Sequence, residues 1–247
     1  MLVAAYTVVP TAGQIALYLL IVFGAPIAVL VGSSRNARRT RRPWQLIAAG
    51  LAVFGAIETI FDPHHVSPFG QSALVRLLYV VGCALLIAGL VLPLRAGHDG
   101  WEPFVLVEVG ITAVALVLVQ LVAFIAFNTS SAVGLTADFA TTLSFALAGG
   151  ILLASAEHIV VDSTRRTPAS LAILAAVVAL LVGGEAYALA APRTYGLDSW
   201  PNVAWLVAYL LFATAALVPS PPELSAPPRS APGMPIARLS SLGLALL

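Results

Sequence analysis

Few residues in this chain can do chemistry, and the ones that can lie in apolar surroundings. Glu58, Arg76 and Glu185 each interrupt a long apolar run, and Tyr187, Trp200 and Trp205 follow closely on the third. A charged side chain at mid-bilayer costs about 2.5–3.5 kcal/mol on insertion scales, so such a residue is paired or functional. Arg76 paired with Glu58 or Glu185 would offset the burial cost of each partner. Aromatic rings around a few convergent polar groups are what a small-ligand pocket requires. Glu58, Arg76, Glu185, Tyr187, Trp200 and Trp205 are therefore the candidate ligand-binding residues. The competing reading is an ion pair that fastens helices together beneath an aromatic belt.

Other polar groups carry less. His64 and His65, in Asp62-Pro63-His64-His65, are adjacent, so they point apart, and no further ligand stands at a supporting spacing. Glu157-His158 could relay a proton, but fits better as a pair that snorkels to the membrane surface. Asn128-Thr129-Ser130 fits a glycosylation acceptor only weakly. The chain has no His-Glu-x-x-His or Gly-x-Ser-x-Gly motif, and no catalytic constellation is expected. No cofactor or metal is expected either.

The composition says what must position these groups. Of 247 residues, 60% are hydrophobic and 9% charged, against roughly 25% charged in a soluble domain. A soluble enzyme is excluded, and so is a nucleic-acid-binding module, since the net charge is only +1. All 12 basic residues are Arg. Without Lys there is no Schiff base, hence no retinal pump, and no Walker A loop. Cys83 is alone, which excludes a disulfide framework.

A membrane-crossing helix takes about 20 mostly apolar residues. Seven stretches meet this: Gln14–Gly32, Trp44–Phe61, Ala73–Leu94, Phe104–Phe127, Thr136–Val161, Pro168–Ala190 and Trp200–Val218. The first is too long, and too poor in leading positive charge, for a cleavable signal peptide. The expected fold is all-α, a polytopic membrane protein of seven helices. Residues 1–13 form an outer N-terminal segment and 14–218 the seven-helix domain. Arginine sets the orientation, because cytoplasmic loops hold the positive charge. Arg35, Arg38, Arg39, Arg41 and Arg42, then Arg95, Arg165, Arg166, Arg229 and Arg238 fall on one side, and only Arg193 on the other. The N-terminus is thus expected outside and the segment after helix seven in the cytoplasm, which places Glu58, Arg76 and Glu185 toward the outer face.

Residues 219–238 open with seven prolines between Pro219 and Pro235 and read as a cytoplasmic linker. Residues 239–247 are apolar but too short to span, and read as the start of a further, truncated helix.

Two segments repeat at an offset of 126–127 residues. Glu58 and Glu185 close their spans, Tyr79 and Trp205 stand alike, and Pro93 and Pro219 end the next spans. This pattern suggests parallel three-helix units, about 14–94 and 136–218, joined by a linking helix at 104–127.

Gly183-Gly184-Glu185-Ala186-Tyr187 is followed by Asp198-Ser199-Trp200, Asn202, Trp205-Leu206, Tyr209, Ala215-Ala216-Leu217 and Pro219-Ser220. With Leu77-Leu78-Tyr79 and Gly82, this resembles the multi-pass N-terminal membrane region of certain bacterial GGDEF/EAL proteins, the cyclic-di-GMP synthases and phosphodiesterases. The resemblance covers roughly residues 44–220. Glu185 stands where Asp is usual, Ala204 where Gly is, and Val218 where His is. The chain contains no GGDEF or EAL sequence. The resemblance implies a membrane-embedded sensory or anchoring module in the bacterial inner membrane, regulating a cytoplasmic cyclic-di-GMP enzyme domain not present in this chain. The expected partners are the bilayer, a small-molecule ligand from the outer side and a second copy of the chain, with no nucleic acid. The alternatives are a small-molecule transporter with two three-helix repeats and a purely structural anchor.

Overall fold

The computed structural model describes residues 11–35, 38–61, 73–96, 107, 110–115, 117–118, 122, 147–156, 159, 167–189 and 200–218. Within them the protein is all-α. Helix α1 is Thr11–Arg35, α2 is Arg38–Ala56 and runs on into a π-turn at Ile57–Phe61, and α3 is Ala73–Ala96. Helical residues at 110–115 lie within the expected fourth span. Then follow α4 (Leu147–Ala156), α5 (Pro168–Leu189) and α6 (Trp200–Leu217). The N-terminal segment 1–10, the linker and apolar end at 219–247, Asn128, His64-His65 and Glu157-His158 all lie outside the described residues.

Among the described residues one helix, Ala12–Arg35, is long and apolar enough to cross a membrane, and a signal sequence near an N-terminus passes the same test. Four shorter apolar helices accompany it, Leu77–Leu92, Leu147–Ala156, Pro168–Gly184 and Pro201–Leu217. The second expected span starts earlier than its apolar run. Helix α2 begins at Arg38 and takes Arg41, Arg42 and Pro43 into its first turns. Pro43 is the sixth residue of α2, so its missing N–H costs the helix one i to i−4 hydrogen bond, and the helix runs through it.

Local chemistry sets the other ends. Near the end of α1, the Ser33 and Ser34 hydroxyls donate to the carbonyls of Leu30 and Val31, each at 2.7 Å. Helix α1 runs through Pro26 without a break. Helix α5 starts on a capping box. The Ser170 N–H donates to Thr167 Oγ1 and the Thr167 N–H to Ser170 Oγ, both at 3.1 Å. Pro168 occupies the first helical position, where its fixed φ suits the turn.

Helix α1 lies between α2 and α6; α3 packs on α2, and α5 on α6. Glycines make these approaches. A Cβ on Gly50 would sit 2.9 Å from Leu86 Cγ, and one on Gly82 would sit 2.9 Å from the Phe54 ring. One on Gly32 would meet the Ala216 backbone, and one on Gly149 the Leu181 side chain. The seam between α2 and α3 thus runs through Gly82, Leu86 and Gly89, while Ala84 faces outward.

Burial repeats along the chain. Val75, Gly82, Leu86, Gly89 and Leu90 are buried on α3; 126 residues on, Pro201, Ala208, Phe212, Ala215 and Ala216 are buried on α6. Trp44, Ile47, Gly50, Leu51 and Ile57 of α2 pair in the same way with Ser170, Ile173, Ala176, Val177 and Gly183 of α5. Helix α6 buries more than α3 because α1 also covers it.

Two glycines of α1 separate packing from propensity. Gly24 has nothing within 4 Å of where a Cβ would stand. Gly24→Ala is expected to be neutral or stabilising by up to about 1 kcal/mol. Gly32→Ala must push α1 off α6, and is expected to cost about 1–3 kcal/mol. Thermal unfolding in detergent of both variants beside the parent checks the contrast.

Candidate functional site

Four helices bring polar side chains together at Glu58. Tyr18 shares the buried stripe of α1 with Ile21, Val22, Ala25 and Val29, and this stripe turns it inward against α2. Its hydroxyl donates to Glu58 Oε2. Glu58 is buried, and it lies in the π-turn that ends α2. Widened turns of this kind occur often at functional sites, where they re-aim a side chain. In the same stretch, the Thr59 hydroxyl donates to the Gly55 carbonyl at 2.7 Å.

Tyr209 reaches in from α6. Its hydroxyl donates to the Leu51 carbonyl at 2.9 Å, across 158 residues of sequence. Gly55 beside it admits Val22 of α1, whose side chain a Cβ there would collide with, while the Tyr209 hydroxyl at 3.8 Å would be in ordinary contact. Tyr79 comes from α3, its ring 5.8 Å from that of Phe54 at an angle of 44°. Phe54 in turn fills the space left by Gly82. Tyr18, Tyr79 and Tyr209 lie within electrostatic reach of one another, and Glu58 within reach of Tyr18 and Tyr209. The site is a carboxyl enclosed by phenols from three other helices. Such a group can exchange hydrogen-bond partners or hold a proton. Among the described residues no three His, Cys, Asp or Glu side chains gather to hold a metal.

The six residues singled out from the sequence are placed as follows. Glu58 is the centre of the buried cluster, with Tyr18 as a partner. Trp205 stands one turn before Tyr209 on α6, its indole seated where Gly183 of α5 leaves room, 2.6 Å from the would-be Cβ to Nε1. Arg76 lies in the first turn of α3, Glu185 and Tyr187 near the end of α5, and Trp200 opens α6; their side chains lie outside the described residues. Glu185 and Tyr187 stand on a helix that packs on α6, whereas Glu58 stands on one that packs on α1 and α3.

Tyr18 and Tyr209 were not legible as site residues. Tyrosine in a membrane helix ordinarily sits at the interface, where its hydroxyl is wet. Tyr18, Tyr79 and Tyr209 instead fall inside apolar runs, three of the six tyrosines in the chain. That misplacement was the available signal. Asn202, also buried, opens α6 at the position that corresponds to Arg76 of α3 in the 126-residue repeat.

No family model, curated protein or solved structure matches this chain.

The two tyrosine hydrogen bonds differ in what their loss leaves behind. Tyr18→Phe strips a buried carboxyl of a donor and is expected to cost about 1–3 kcal/mol. Tyr209→Phe leaves a carbonyl that keeps its own helical partner, and is expected to cost about 0.5–1.5 kcal/mol. Chemical denaturation in mixed micelles measures both. In the pair Tyr18→Phe and Glu58→Gln, the double variant is expected to lose less than the sum of the singles.

Proposed function

We propose that this chain is the membrane-embedded sensory or anchoring module of a bacterial signalling protein. It crosses the inner membrane seven times as two parallel three-helix units joined by the helix at 104–127, with its N-terminus outside. Its output is a cytoplasmic cyclic-di-GMP enzyme domain outside this chain, and its sensing residues are drawn from Glu58, Arg76, Glu185, Tyr187, Trp200 and Trp205.

One observation carries the membrane reading: the described helices are apolar on the outside as well as in the core. Ile15, Leu20, Phe23 and Ile27 of α1, Leu74, Leu77 and Val80 of α3, and Leu171, Val178 and Val182 of α5 are all exposed. Within the apolar core lie a few polar groups, Glu58, Ser33, Ser155, Ser170 and Asn202. A water-soluble bundle of this size does not cover its outside with large aliphatics, because contiguous apolar patches drive association. Lipid tails make that outside favourable and require the polar groups to be satisfied within. The repeated burial of α2–α3 and α5–α6 supports the two units. The path from Glu58 through Tyr18 and Tyr209 to α6 supports sensing, since α6 is the helix that leads toward the Pro-rich linker.

Cysteine labelling tests the topology in a Cys83→Ala background. Leu20→Cys and Leu77→Cys are expected to resist a water-soluble maleimide in intact cells and in inverted vesicles alike. Gln71→Cys is expected to label from outside and Arg41→Cys only in inverted vesicles. Labelling of Leu20→Cys and Leu77→Cys from water would overturn the membrane reading. For the signalling role, joint replacement of Glu58, Arg76 and Glu185 by Gln is expected to shift cellular cyclic-di-GMP, and an unchanged level places the sensing elsewhere.

A further inference from the structure

Glu58 keeps 9% of its surface exposed, whereas its neighbour Ile57 keeps none. Its carboxyl holds the Tyr18 hydroxyl, and Gly55, one turn away, is filled by Val22. A group this enclosed is reached by a proton more readily than by a molecule. We propose that Glu58 is a proton-binding site, and that α6 reads its protonation through Tyr209. The proposal deepens the sensory reading above and rests on it: the proton is the ligand, taken from water on the outer side.

The step is a plain transfer. A hydronium ion gives its proton to a Glu58 carboxyl oxygen, an O–H bond forms there, and water is released; no electrons change hands. Ionised, the carboxylate is acceptor-only and takes the Tyr18 hydroxyl as donor. Protonated, it carries a donor of its own and has less capacity to accept. The groups around it must then re-pair. From α1 that group is Tyr18 and from α6 Tyr209; Tyr79 of α3 lies within electrostatic reach of both. On its own helix it is Thr59, which already bonds to Gly55. Arg76 lies one turn before Tyr79 on α3. Among the described side chains that enclose Glu58, all the titratable ones are phenols. They change hydrogen-bond direction without changing charge.

Two features make the site fit for this. The π-turn is a local register defect, and it lets the Glu58 side chain re-seat without breaking α2. The Tyr209 hydroxyl donates to Leu51, which leaves its oxygen free to accept from a protonated neighbour. A displacement of Tyr209 bears on Trp205 and Phe212, which lie one turn away on the same helix.

The test uses the intact chain in nanodiscs. Infrared difference spectra between about pH 4 and 9 read the carboxyl band, and Trp205 emission reads α6 in a variant whose other tryptophans are Phe. A carboxyl band that rises on acidification and is absent in Glu58→Gln is expected, with a sigmoidal Trp205 shift at the same midpoint. Tyr209→Phe should keep the band and lose at least half of the Trp205 shift. Glu58→Gln keeps the size and hydrogen-bonding capacity of the side chain, and unchanged circular dichroism shows it folded. If no band depends on Glu58, or the Trp205 shift survives Glu58→Gln, the proposal falls. The cysteine-labelling pattern is read separately, so failure of the membrane reading is distinguishable from failure of the proton site.

Discussion

A carboxyl group in a low-dielectric interior must be met by donors or by charge, and the way this chain meets that demand organises much of its structure. Glu58 takes the Tyr18 hydroxyl from α1, and this fixes the rotation of α1 about its axis. With Tyr18 inward, the buried stripe through Val22, Ala25 and Val29 follows at helical spacing, and Ile15, Phe23 and Ile27 turn outward. The same rotation presents Gly32 to α6, where Ala216 fits against it. The position of Tyr209 over Leu51 then closes α6 onto α2. One hydrogen bond is thus connected, through helix phase, to contacts several turns away.

The glycines act on a different part of the energy. In the membrane setting proposed above, helices gain little by hiding aliphatic surface from one another, so association would rest on close packing and on interhelical hydrogen bonds. Gly50 and Gly82 lie opposite each other between α2 and α3, and each receives a large side chain, Leu86 and Phe54 respectively. Gly183 does the same for Trp205 between α5 and α6. Each glycine contributes by what it admits. Its cost in helix propensity is about 1 kcal/mol in water, and the dispersion contacts of a seated ring or branched chain offset it.

The helices were legible in the sequence because apolar runs with capping residues leave little choice; α3, α5 and α6 fall where their runs predict. The start of α2 was not, because an Arg-rich stretch reads as a loop while its backbone is free to be helical. Glu58 was legible as a buried group by its cost. The Tyr18 hydroxyl it holds was not, because opposite charge directs attention to Arg76 rather than to a phenol forty residues away. Hydropathy cannot rank Tyr18 above any other aromatic in an apolar run. Distance in sequence hid Tyr209 as well, since only the packing of α6 against α1 brings residue 209 within reach of residue 51. Ala84 and Ala88 stand four apart on α3, at the spacing of a small-residue seam, yet Ala84 faces outward. Spacing defines a face of a helix without saying which face is inside. The bulk of Phe54 decided that, because it needs Gly82 opposite it.

Helix α6 is where these constraints meet. It contacts α1 along one side and α5 along another, and it carries both Tyr209, facing the Glu58 cluster, and Trp205, seated on Gly183. A helix held on two sides by shape-specific contacts does not drift; it stays or it shifts between discrete seats. The two anchors lie one turn apart and answer to different halves of the chain, Tyr209 to the first and Trp205 to the second. A change in hydrogen bonding at Glu58 therefore acts on α6 through Tyr209, against a Trp205 seat shaped by Gly183. An asymmetric load of that kind produces a tilt or a rotation of α6, rather than a uniform loosening of the bundle.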